Sequence, residues 1–134
     1  MRLKHVFIVF LFVQVSFAQK ESCHTQKLPK RKAMQNEMVT CFHDSLQSSY
    51  RLTIPHRVVA HYHQFHTENI FVLQGRVEMR MNDTVIYIKK GMHVSIPKGT
   101  IHSVEKVLSR RPLVVISFQS PYFDGKDRVL VSDN

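Results

Sequence analysis

Between residues 48 and 120 the apolar side chains recur at every second position or in short solid runs, and no segment there has convincing helical spacing. Arg76 to Met81 is the clearest case. Val77, Met79 and Met81 alternate strictly with Arg76, Glu78 and Arg80, as expected for a strand with one face in a core. Asn82-Asp83 separates this run from Thr84 to Ile88, and two turn-prone residues between such runs signal a hairpin. Further runs lie at Tyr50 to Ile54, Val58 to Phe65, Asn69 to Leu73, His93 to Ile96, Ile101 to Val107 and Leu113 to Phe118. Many short strands at close spacing predict an all-β sandwich or barrel.

The length agrees. Of 134 residues the first 18 read as a removable leader, and the remaining 116 suffice for one core of short strands but not for a TIM barrel. Hydrophobic residues make up 43% and charged residues 22%, a globular rather than a disordered balance. Arg2, Lys4 and His5 precede the apolar run Val6 to Val13, and Ser16-Phe17-Ala18 places small residues where a signal peptidase reads. An apolar run of eight is too short to span a bilayer. The expectation is a cleaved signal peptide over 1–18 and a secreted or periplasmic protein that starts at Gln19.

Residues 19–47 read as a polar N-terminal arm, with Lys27, Lys30, Arg31 and Lys32 close together and a short helix expected over 32–38. Without the leader, 17 lysines and arginines face 10 acidic residues, a net charge of +7 that suits an anionic ligand or an acidic surface. The arm has no interleaved aromatics to stack on bases, so nucleic acid is not expected as a partner. Cys23 and Cys41 are the only cysteines, which excludes a disulfide-dense scaffold and a four-cysteine zinc site. In an exported chain they either form one bridge, worth roughly 3 kcal/mol by loop entropy, or stay free. Residues 121–134 read as a polar tail with one more strand at Arg128 to Val131.

The chemistry concentrates in His61-Tyr62-His63-Gln64-Phe65-His66-Thr67-Glu68. On a strand, His61 and His63 share a face, while Tyr62 and Gln64 point to the other. Glu68 follows a short turn and can return to the histidine face. His102, after the turn Pro97-Lys98-Gly99, is a fourth candidate. Imidazole nitrogens with a carboxylate oxygen form a ligand set for divalent transition metals. The alternatives are surface or satisfied core histidines and a surface glutamate. His66 reads as an exposed turn residue, His93 as facing away from the core, and Tyr50, Phe71, Met79, Met81 and Phe118 as core or pocket wall. Asp124 and Asp127 read as part of a closing loop rather than a calcium site.

At this point the chain resembles the cupin superfamily. The first cupin motif pairs two histidines one residue apart with a later glutamate and glycine, matched by His61, His63, Glu68 and Gly75. The second is matched by Gly91, Pro97, Gly99 and His102. Lys106 stands where the second motif usually has asparagine, and Pro55 where the first has its leading glycine. The resemblance covers about residues 50 to 120 and implies a single jelly-roll β-barrel, with the cupin barrel proper at 48–120. It also implies a metal ion, Mn, Fe, Ni, Co, Cu or Zn, held by His61, His63, Glu68 and His102. Four ligands would leave open positions for water, dioxygen or substrate. Two function classes follow. One is a metal-dependent enzyme, dioxygenase-like or sugar(-phosphate) isomerase-like, acting on an oxygen-bearing small molecule. The other is a non-catalytic binder of a sugar or small anion. By analogy with other cupin barrels, a homodimer is expected.

Overall fold

The computed structural model describes Cys23 and residues 27–30 and 34–131. The leader expected over 1–18 lies outside the described residues. Ten strands follow one another: β1 (Glu37–His43), β2 (Ser48–Ile54), β3 (Val58–Tyr62), β4 (Thr67–Gln74), β5 (Arg76–Met81), β6 (Thr84–Lys89), β7 (His93–Ile96), β8 (His102–Val107), β9 (Leu113–Ser120) and β10 (Val129–Leu130). They form two five-stranded antiparallel sheets, ordered β1-β2-β9-β4-β7 and β10-β3-β8-β5-β6. This is the expected jelly roll. Consecutive strands such as β3 and β4 lie in different sheets, so residues close in sequence face each other across the interior.

The alternation of the sequence becomes the inside and outside of this sandwich. Ile54, Ile70, Val72, Leu113 and Val115 from the first sheet meet Val77, Met79, Ile88 and Val104 from the second, all buried. The β5–β6 hairpin turns at Asn82, whose φ of 49° is the left-handed conformation that asparagine tolerates. Its side chain also accepts the Ile101 N–H at 3.1 Å, which joins the hairpin tip to the segment before His102.

Two features differ from the sequence-based expectation. The helix over 32–38 does not form in its described part. Glu37 opens β1 instead, and Thr40 and Val39, β-branched, pair with Tyr50 and Arg51 of β2. The residues assigned to an arm thus contribute an edge strand, which the Cys23–Cys41 disulfide ties to the preceding segment. The strand expected within the tail at Arg128 to Val131 forms as β10, with Val129 and Leu130 paired with Tyr62 and His61. Finally, Phe71 and Phe118 are exposed on the outer face of the first sheet rather than in the pocket wall. Tyr50 and Met79 are buried as expected, and His93 is exposed.

Gly75 carries the tightest backbone constraint. It joins β4 to β5 with a φ of 96°, and an added Cβ would lie 2.9 Å from both Leu113 Cα and Pro112 O. Neither backbone atom can yield as a side-chain tip would. Gly75→Ala is therefore expected to lose about 1–3 kcal/mol of stability through strain at this turn. Gly125→Ala has an open environment and serves as the control for positive φ without the clash. Urea unfolding of both checks the point, and equal midpoints would contradict it.

Candidate metal centre

The site lies between the sheets, because each of its side chains comes from an inward position of a different element. His61 on β3 is directly opposite His102 on β8, so both project from the second sheet into the interior. Glu68 on β4 faces them from the first sheet. His63 sits just past the end of β3, in the chain that crosses between the sheets. The turn before β8 is fastened there too, as the Gly99 N–H donates to the His63 carbonyl at 2.7 Å. The structure therefore brings together all four residues that the sequence singled out.

One ring nitrogen from each of His61, His63 and His102 lies within 4.8 Å of the others. Two donors on opposite sides of one ion would be about 4 Å apart for bonds of about 2.1 Å. Glu68 Oε2 lies 3.3 Å from His102 Nε2 and 3.6 Å from His63 Nε2. All four residues are buried.

Hydrogen bonds set the state of each ring. Nδ1 of His61 faces the Val59 carbonyl at 2.9 Å, Nδ1 of His102 faces the Thr100 carbonyl at 2.9 Å, and Nδ1 of His63 faces the Asp127 carbonyl. A carbonyl only accepts, so each Nδ1 carries a proton, and a ring that is neutral keeps its lone pair on Nε2. His102 Nε2 is buried with no hydrogen-bond partner among the described residues. A lone pair facing a carboxylate oxygen at 3.3 Å is repulsive unless a cation lies between them, a metal ion or a second proton on the ring.

The titration tendencies narrow the nature of that cation. Burial, then the neighbouring charge of His102, lowers the His61 pKa to about 4, so the His61 ring resists a second proton. For Glu68, burial pushes the carboxyl up. His102, His63 and the Ser117 hydroxyl outweigh it and hold the group well below the usual carboxylate range. His63 is raised, because Glu68 and Asp127 outweigh the lowering effect of burial. An anionic carboxylate and neutral imidazoles around one point suit a divalent ion, and the donor set fits that group.

The C-terminal segment closes this end of the barrel. Asp127 accepts the backbone N–H groups of Gln64, Phe65 and His66 through its carboxylate and bonds the His66 ring. The Asp127 carboxylate is thus engaged by the chain itself, as a closing loop requires. His66 is buried rather than an exposed turn residue, since its other nitrogen meets the Tyr122 carbonyl at 2.8 Å. Both ring nitrogens face oxygen acceptors. Phe123 packs its ring edge-on against His63 and His66, with centroids 5.4 and 5.3 Å apart. Sequence reading missed Ser117, Gln119 and Arg128 as site residues. Ser117 and Gln119 share the inward parity of Val115 on β9, the one signal that pointed to them.

Beside the candidate metal position runs a cavity of about 230 Å³, lined by apolar side chains that include Leu52, Ile54, Ile70 and Val104. Glu37 and Arg128 also line it.

Residues 51–118 match the cupin domain family, and the chain belongs to that family. An uncharacterised protein of Aquifex aeolicus is 33% identical over 84 residues, covering 63% of this chain and 68% of that protein. Quercetin 2,3-dioxygenase of Bacillus subtilis is 36% identical over 47 residues, 35% of this chain but 14% of the dioxygenase, so the chain spans about one seventh of that relative. Among solved structures, a Klebsiella pneumoniae protein with a double-stranded β-helix domain aligns with a TM-score of 0.64 at 16% identity, covering 78% and 90% of the two chains. The nucleoside dehydratase Pac13, from Streptomyces, aligns with a TM-score of 0.60 at 13% identity over 78% and 92%. These last two likenesses show the fold.

Asp127 provides a pH test of this closure. Burial raises its carboxyl, but His66 and the N–H groups of Phe65 and Gln64 outweigh it and bring the pKa to about 2. The unfolded value is about 3.9. The carboxylate therefore stabilises the fold above about pH 4, and that contribution disappears as pH falls toward 2. Asp127→Asn should be less stable than wild type at neutral pH, and the gap should close between pH 4 and 2. Denaturant midpoints across that range check the sign, and a gap that does not narrow would refute it.

Proposed function

We propose that this cupin is an exported protein that holds one divalent transition metal through His61, His63, Glu68 and His102. On that ion it acts as a small metal-dependent enzyme toward an oxygen-bearing small molecule. The observation that carries the reading is the buried, unpartnered Nε2 of His102 facing the Glu68 carboxylate. When bound, the ion supplies Lewis acidity, and redox chemistry if it is Fe, Mn, Ni, Co or Cu.

The chain's own part is orientation and exclusion of water. The Val59, Thr100 and Asp127 carbonyls keep the three Nε2 lone pairs inward. Ser117 holds one Glu68 oxygen by donating its hydroxyl proton to Oε1, which leaves Oε2 toward the imidazoles. The apolar wall around the cavity excludes water and accepts an apolar ligand body. Arg128 lines the same cavity and adds positive potential there, which supports an electron-rich or anionic ligand. The relationship to a quercetin 2,3-dioxygenase supports dioxygenase-like chemistry. The disulfide and the leader-like first 18 residues support secretion or a periplasmic location.

A second reading, a non-catalytic binder, is favoured by one observation. Apart from the four proposed ligands, the ionisable residues lining the cavity are Glu37 and Arg128. Glu68 is itself engaged by Ser117, which leaves Glu37 as the one further carboxylate among the lining residues.

Metal analysis of the purified protein should give about one ion per chain. His61→Ala and His102→Ala should each weaken metal affinity by at least about 100-fold, because each removes a direct ligand. Affinity should also fall as pH drops through the raised His63 pKa, since protons then compete for a ligand nitrogen. Oxygen uptake with diphenols and diketones, beside a sugar-phosphate isomerase assay, separates enzyme from binder. Wild type without stoichiometric metal under metal-replete conditions would refute both the ligand set and the enzyme.

A further inference from the structure

The cavity contains a second buried polar atom without a partner. Gln119 on β9 sits opposite Glu68 on β4 and opposite Ser48 on β2, and its side chain lines the cavity beside the metal position. The residue is 6% exposed, and its Oε1 has no hydrogen-bond partner among the described residues. A buried amide carbonyl in that condition calls for a donor from whatever fills the space.

Neighbouring groups settle which way the amide points. The Ser117 hydroxyl donates its proton to Glu68 Oε1. Ser117 Oγ is then left as an acceptor toward Gln119, whose Nε2 lies 3.5 Å away. That long contact still orders the amide, because the flipped orientation would set Gln119 Oε1 against an oxygen with no proton to give. The chain of donors runs from Gln119 Nε2 to Ser117 Oγ to Glu68 Oε1, and the carbonyl end of Gln119 is free for a ligand.

We infer that Gln119 is a positioning residue that selects a ligand bearing a hydroxyl group next to its metal-binding oxygen. The substrate class is a compact molecule with adjacent oxygens, at least one protonated: a catechol, a vicinal diol or an α-hydroxy ketone. Such a ligand places one oxygen at the ion and donates the neighbouring O–H to Gln119 Oε1. Acceptor-only chelators such as dicarboxylates and diketones bring lone pairs against that carbonyl and are disfavoured. The cavity, at about 230 Å³, lies below the usual range for drug-sized ligands and suits a body of one or two rings. This inference rests on the metal reading above and assigns the substrate class of that site.

The test uses the full mature chain loaded with Zn²⁺, with metal stoichiometry measured first. Catechol and its monomethyl ether are then titrated calorimetrically into wild type, Gln119→Met and Gln119→Glu. Catechol also chelates better than its ether in any zinc site, so the informative quantity is how the preference changes with the variant. Wild type should prefer catechol by roughly tenfold more than Gln119→Met does, the worth of one buried hydrogen bond. Gln119→Glu, which keeps an acceptor, should retain the preference, and all three should hold equal zinc. As a measurement that needs no variant, the Gln119 side-chain amide resonance of the unaltered Zn²⁺ protein should shift with catechol and stay in place with the ether. An unchanged preference in Gln119→Met, or a resonance indifferent to catechol, overturns the inference while leaving the metal site intact. Loss of zinc in Gln119→Met alone reassigns the residue to metal support and also overturns it. Failure of wild type to bind zinc removes the metal reading and this inference together.

Discussion

Each of three imidazoles gives its Nδ1 proton to a backbone carbonyl, and the rest of the site follows from that arrangement. The carbonyls of Val59 and Thr100 lie two residues before the rings they hold, so strand geometry itself supplies those contacts. The third comes from Asp127, 64 residues beyond His63. With the protons committed outward, the Nε2 lone pairs are left to face an interior carboxylate. Two acceptors so placed, out of water, are stable only around a positive charge.

The jelly roll makes this convergence possible because the chain crosses from one sheet to the other between β3 and β4 and again on either side of β8. His61 and His102 project from one sheet, Glu68, Ser117 and Gln119 from the other, and His63 lies on the crossing between them. A single sheet could align His61 with His102 but could not place a carboxylate opposite them. The end of the barrel is sealed by residues near the C-terminal end of the chain. Phe123 packs on His63 and His66, while the Asp127 carboxylate gathers three successive backbone N–H groups of the β3–β4 turn. A segment that looks like a tail thereby both orders the turn that follows His63 and hydrogen-bonds the His63 ring.

Much of this was legible beforehand, for identifiable reasons. The β5 run was readable because strict alternation of Val77, Met79 and Met81 has no helical counterpart. The four candidate ligands were readable because their spacing relative to Gly75, Gly91, Pro97 and Gly99 is itself a consequence of where the turns must fall. The burial of His66 was not readable, since its partners Asp127 and Tyr122 lie 61 and 56 residues away. β1 was obscured because its apolar residues come in adjacent pairs, Met38-Val39 and Cys41-Phe42, and a register shift between Thr40 and Phe42 breaks the period of two. It is an edge strand, exposed along much of its length.

The amino-acid sequence by itself determined the all-β class, the parity of most strands and the candidate ligand residues, because these depend on local period and turn chemistry. Only the tertiary structure decided that Ser117, Gln119, Phe123 and Asp127 belong with them. Their roles arise from registers between distant strands and from a returning C-terminal segment, and such through-space relations leave no periodic trace along the chain. The inward facing of Gln119 could be guessed from parity. That its carbonyl would be left without a donor depends on the Ser117–Glu68 bond, which exists only once β4 and β9 are paired.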